Sequence, residues 1–102
     1  MIVKSDFKSN SGALVEIKFY SDDKRYLPSF NYRPHFVING SDYYMGVSFT
    51  EFLEAPAFDR NINAKVKFIY DRIDYSSLIV GMQFEVREGA KTVGIGKVIE
   101  LL

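Results

Sequence analysis

The sequence predicts an all-β fold, either a sandwich or a small closed barrel, and three observations carry that expectation. Residues 81–100 read as two extended segments joined by a tight turn at 88–91. The chain has nine Phe and seven Tyr among frequent Val and Ile, the residue types that favour pleated, half-buried strands. Turn signals recur at roughly the eight-to-twelve-residue spacing of small all-β domains, and no stretch shows a helical period.

The closing hairpin is the clearest element. Met82, Phe84 and Val86 point one way while Gln83, Glu85 and Arg87 point the other, the period of a strand with one buried face. In residues 92–102, Val93, Ile95, Ile99 and Leu101 are assigned to one face, with Lys97 the exception. Gly89 lets the turn take positive φ. Gly94 and Gly96 lie inside the second strand, where glycine marks a barrel bend or a close backbone approach.

In chain order, residues 1–12 form a lead-in or short edge strand around Ile2 and Val3, and residues 13–102 make a single domain. Ala13, Val15, Ile17 and Phe19 alternate with Leu14, Glu16, Lys18 and Tyr20, which gives the first strand. Residues 21–31 are a long polar loop. Pro34 holds Arg33 extended and suits the start of an edge strand. The turn signal Asn39-Gly40-Ser41-Asp42 joins residues 36–38 to 43–50 as a hairpin. Residues 51–57 give a further short extended piece ending at Pro56. Ala64, Val66, Phe68 and Tyr70 alternate with Lys65, Lys67 and Ile69 in the next strand. Residues 71–80, with Ile73, Leu78, Ile79 and Val80, read as an irregular loop or one helical turn.

The totals limit the function. With 102 residues, one domain can bury roughly two-thirds of its unfolded surface without staples. The absence of cysteine removes disulfides, thiolate metal sites and cysteine nucleophiles, and fits a reducing, cytoplasmic setting. No apolar run has the length of a signal peptide or a membrane span, so no membrane association is expected. Thirteen basic and thirteen acidic residues cancel. A dedicated nucleic-acid binder normally carries a basic excess, because its affinity comes from neutralising phosphates.

No catalytic apparatus is legible. Gly89 and Gly94 have phosphate-loop spacing, but Ile95 and Gly96 stand where Lys and Ser/Thr are required, so GTP binding is not expected. His35 is the only histidine. A metal site would need nearby carboxylates, and a triad an activated serine; Ser29 and Ser41 do not sit in a nucleophile-elbow pattern. The acidic pairs Asp22/Asp23, Glu51/Glu54 and Asp71/Asp74 lack the density of a calcium loop and read as solvated loop charge. The chain is expected to be no enzyme and to hold no metal or cofactor. Lys65, Lys67, Arg87, Lys91 and Lys97, with Tyr43 and Tyr44, could make a basic strip that tracks a nucleic-acid backbone. The competing reading is protection of strand edges by lysine. Arg33 and Arg25 are alternative anchors for a protein partner, since Arg and Tyr are enriched at interfaces.

Tyr32-Arg33-Pro34-His35-Phe36 and Arg87-Glu88-Gly89-Ala90-Lys91-Thr92-Val93-Gly94-Ile95-Gly96 resemble the C-terminal barrel of elongation factor Tu, the third domain of that family. The family carries Tyr-Arg-Pro-Gln-Phe and Arg-Glu-Gly-Gly-Arg-Thr-Val-Gly-Ala-Gly at these places. Arg25 and Pro28 match its Gly-Gly-Arg-His-Thr-Pro loop, and the likeness covers residues 13–102. The resemblance implies a closed six-stranded antiparallel β-barrel that is non-catalytic, packs on a GTPase domain and helps hold the T stem of aminoacyl-tRNA. Its tRNA contacts fall on Glu88 and Gly89; His35 replaces a Gln, and Tyr44 or Met45 a Thr. The chain departs from the family at Phe58-Asp59-Arg60 and Ile69-Tyr70-Asp71, and the nucleotide switch and aminoacyl pocket lie in domains outside this sequence. Delivery of aminoacyl-tRNA by this chain alone is therefore not expected.

The expected function is a stand-alone binding module that takes a protein partner, as adaptor, mimic or toxin-neutralising protein. The candidate face is Arg87, Glu88, Gly89, Lys91, His35, Arg33, Tyr44 and Arg25. The alternatives are tRNA binding, an enzyme site around His35 or residues 21–31 that no motif announces, and homo-oligomer formation through an exposed barrel edge.

Overall fold

A computed structural model describes residues 10–22, 26–29 and 31–102. The lead-in around Ile2 and Val3, and Arg25 of the candidate face, lie outside the described residues. Within them the chain forms β1 (Gly12–Phe19), β2 (His35–Val37), β3 (Met45–Phe52), β4 (Asn61–Phe68), β5 (Gln83–Glu88) and β6 (Lys91–Leu101). These close into an antiparallel barrel in the order β1-β4-β3-β2-β5-β6. Closure leaves every strand paired on both sides, which removes the free sheet edges of an open sandwich. Among the described residues there is no helix long and apolar enough to cross a membrane.

Alternation in each strand fills the barrel. Ala13, Val15, Ile17 and Phe19 of β1, and Ile62, Ala64, Val66 and Phe68 of β4, are buried. Inside the barrel Phe36 stacks at 3.9 Å on Phe84 of the neighbouring strand, and Phe49 meets Phe36 edge-on at 6.1 Å. Each such ring contributes about 1.5–3 kcal/mol by leaving water. Rings at these separations add offset and edge-to-face attraction.

The expected face of β6 is corrected. Val93 and Val98 are buried, whereas Ile95 and Ile99 are 45% and 39% exposed. Two register shifts explain the reversal. Val86 opposes Gly94 while Arg87 opposes Thr92, so Val93 is an extra residue. Leu14 opposes Glu100 while Val15 opposes Val98, so Ile99 is another. Each bulge turns the following side chains to the other face. Gly94 and Gly96 then point inward, where neighbours come close. A Cβ on Gly96 would lie 2.7 Å from the Phe84 ring, and one on Gly94 would lie 2.6 Å from the Lys18 carbonyl.

Two further expectations change. The segment 51–57 is not a separate strand; β3 runs through a bulge near Thr50 to Phe52. Tyr70 lies beyond β4 and is exposed. Residues 71–80 form an irregular turn-rich loop in which Tyr75 and Leu78, and not Ile79 and Val80, are buried. Tyr75 stacks on Phe68 at 4.4 Å, and its hydroxyl donates to the Gly46 carbonyl at 2.5 Å. Burial pushes that hydroxyl's pKa up.

Candidate functional site

The outer face of β2 and β5 gathers most of the residues singled out from the sequence. Pro34 brings the chain into β2, and its carbonyl accepts from Val47 N at 3.1 Å. The next residue, His35, pairs with Gly46 of β3 on one side and Arg87 of β5 on the other. Arg87 in turn opposes Thr92 of β6. The barrel thus lines up His35, Arg87 and Thr92 on three adjacent strands, with Tyr44 at the entry to β3.

Their side chains interlock. The Arg87 guanidinium donates from Nε to Glu85 Oε1 at 2.9 Å, and Nη2 lies 2.7 Å from the same oxygen. Nη1 donates to the Tyr44 hydroxyl at 3.0 Å, and the guanidinium carbon lies 5.6 Å from the centre of that ring. Thr92 Oγ1 also donates to Glu85 Oε1, at 2.9 Å. His35 meets Tyr44 edge-on at 5.4 Å. The hydrogen bond from Arg87, then that from Thr92, hold the Glu85 carboxyl below the usual carboxylate range. The bond to Tyr44, with that to Glu85, raises Arg87 above its ordinary value. The result is a fixed guanidinium whose charge is balanced locally.

The turn after β5 is tied into the same surface. Gly89 sits at φ 61°, in the left-handed region that favours glycine. Tyr32 donates to Glu88 Oε2 at 2.7 Å, while its ring packs against Phe49 at 5.2 Å. Lys91 Nζ lies 2.5 Å from Asp22 Oδ2. Arg33 is exposed beside this group.

The extended basic strip does not form. Strand order sets β4, with Lys65 and Lys67, three places from β5 in either direction around the barrel. Lys65 pairs there with Glu51 at 3.6 Å. The loop carboxylates serve local structure: Glu54 accepts from Asn63 N at 2.9 Å, and Asp74 from Ser76 N at 2.9 Å. Hydrogen bonding from the Ser76 side chain, then from its backbone N–H, holds Asp74 below its ordinary pKa. Among the described residues no three His, Cys, Asp or Glu side chains gather as they would around a metal ion.

Glu85 and Thr92 were not singled out from the sequence, although both complete the cluster. Glu85 and Arg87 two apart on a strand share a face, and that spacing is a legible signal. Thr92 was hidden, because its place opposite Arg87 depends on the bulge at Val93. No protein-family model matches the chain.

Proposed function

We propose that this chain is a non-catalytic binding module, similar to the C-terminal barrel of elongation factor Tu, that engages a protein partner through the outer face of β2 and β5. The observation that carries the reading is the closed Tyr44–Arg87–Glu85 network. Phosphate binding draws on cations whose charge is free to displace counterions; here the central cation is offset by Glu85. A rigid Tyr, His and Arg surface with little net charge suits a protein interface, where such residues act as anchors and lose little freedom on binding. Translation-related partners, and adaptor, mimic or toxin-neutralising roles in the cytoplasm, follow from the family likeness and the lack of cysteine.

A photo-crosslinking residue at Tyr44, compared with one at Lys67 on the far side of the barrel, tests the reading. One defined protein captured from 44 and not from 67 is the expected result. Capture from neither position, or equally from both, counts against it.

A second reading, tRNA binding, is favoured by the exposed turn that carries Glu88 and Gly89, the places of the tRNA contacts that the family likeness implies. It requires affinity that falls steeply with salt. Absence of any gel shift with tRNA at low salt would remove it.

A further inference from the structure

Two concavities meet on the outside of the barrel. One, of about 340 Å³, lies over β1, β6 and β5 and is lined by Glu16, Lys97, Gln83 and Asn39 among others. The second, of about 510 Å³, lies against Ile79 and Val80 and shares Asn39 and Gln83 with the first. Together they make one groove that changes character along its length. Ile79 and Val80 lie at one end, the amides of Asn39 and Gln83 in the middle, and Lys97 and Glu16 at the other, where Ile95 and Asn61 also line the wall.

The register fixes the order of the polar groups. Lys97 opposes Gln83 on one side and Glu16 on the other. The three therefore follow one another on neighbouring strands at about 4.8 Å intervals. Glu16 and Lys97 stand side by side, yet make no ion pair with each other and no side-chain hydrogen bond among the described residues. Arg87 and Lys91, by contrast, both hold carboxylates. At the other end Ile79 and Val80 are 53% and 61% exposed, although Leu78 beside them is buried.

We infer that this groove docks an extended segment of a partner protein. An apolar side chain of the segment rests on Ile79 and Val80, an acidic side chain meets Lys97, and a basic one beyond it meets Glu16. The amides of Asn39 and Gln83 each offer a donor and an acceptor, which complements a peptide backbone. The adjacent opposite charges cancel, so a polyanion gains nothing there. The row from Asn39 to Glu16 spans three strand spacings, about 14 Å, or four to five residues of extended chain. The charge order also gives specificity, since exchanging the two charges sets like against like. This surface goes beyond the Tyr44–Arg87 cluster and shares only Glu85 with it.

Two fluorescent peptides test the inference against the purified full chain. One carries apolar, acidic and basic residues in the stated order; in the other the two charges are exchanged. Anisotropy titration is expected to show saturable binding of the first and about tenfold weaker binding of the second, with amide shift changes at Gln83 and Lys97. The double substitution Glu16→Lys with Lys97→Glu keeps the net charge and should reverse the preference. Lys97→Gln alone should erase it, and Lys67→Gln, on β4 and outside the groove lining, should leave it intact. No saturable binding, equal affinity for both peptides, an unchanged preference in the charge-reversed chain, or shifts confined to residues outside the groove would each overturn the inference.

Discussion

Arg87 places two guanidinium nitrogens, Nε and Nη2, against a single oxygen of Glu85, at 2.9 and 2.7 Å. The residues are two apart on β5, so both project from the same outer face. Arg87 also reaches Tyr44, which lies just before β3. One side chain thereby ties the short β2 hairpin to the closing hairpin and sets the charge of the face between them.

Arg87→Ala should leave the barrel folded and weaken the partner captured at Tyr44 by about ten- to a hundredfold, the range of a central interface arginine. Arg87→Lys should recover little, since an ammonium cannot hold Glu85 and Tyr44 in one plane. Interferometry with the captured partner, alongside a thermal melt of each variant, separates loss of contact from loss of fold.

Acid should weaken the native state partly through Glu85. Its folded pKa is depressed, so its contribution is present above the unfolded carboxylate value of about 4.3 and is lost as pH falls through the lower folded value. Glu85→Gln should therefore flatten the fall in Tm on the acid side. Equal slopes in the parent and the variant would show that other carboxylates control it.

Tyr75→Phe removes a buried hydroxyl that donates to the Gly46 carbonyl and accepts from Tyr70 N at 3.3 Å. A loss of about 1–3 kcal/mol is expected, or about 4–8 °C in Tm for each kcal/mol in a domain of this size. Because the folded pKa of Tyr75 is raised, its contribution is complete below about pH 10 and is lost as pH rises through the folded value. The Phe variant should lack that alkaline component in a pH series of urea melts.

Gly96→Ala should cost about 1–3 kcal/mol by overpacking, because its Cβ would press on the Phe84 ring and on Ile17 Cδ1, 2.5 Å away. Gly94→Ala should cost more. Its Cβ meets the Lys18 backbone carbonyl, which cannot turn aside as a side chain can. Chemical denaturation of the two variants gives the order directly.

Lys65→Glu with Lys67→Glu should leave partner capture at Tyr44 unchanged, since β4 lies on the opposite side of the barrel. A loss of capture would mean that the partner wraps far around the molecule.

Much of the architecture was legible because alternation depends on neighbours in sequence. Ala13 to Phe19, and Ala64 to Phe68, each announce a buried face within a single segment. The turn glycines Gly40 and Gly89 take positive φ, as their flanking β-rich runs require. The reversal of Ile95 and Ile99 was not legible. A bulge is set by how two strands fit across the barrel, and the β6 pattern alone is consistent with either face. Tyr75 escaped notice for a related reason: its loop has no period, and its ring is buried only because Phe68 and Gly46 come to meet it.

The candidate site divides in the same way. Tyr44, His35 and Arg87 were each identifiable as residue types suited to contact, but their meeting depends on β2 lying between β3 and β5. The separation of Lys65 and Lys67 from Arg87 is equally a matter of strand order. Sequence by itself determined the alternating runs of β1, β4 and β5, the turns at Gly40 and Gly89 and the inward side chains of β1 and β4, because local periodicity and glycine sterics settle those within a few residues. Tertiary structure alone decided the β6 faces, the neutralised arginine and the groove between Glu16 and Val80, because each arises from pairing between strands distant along the chain.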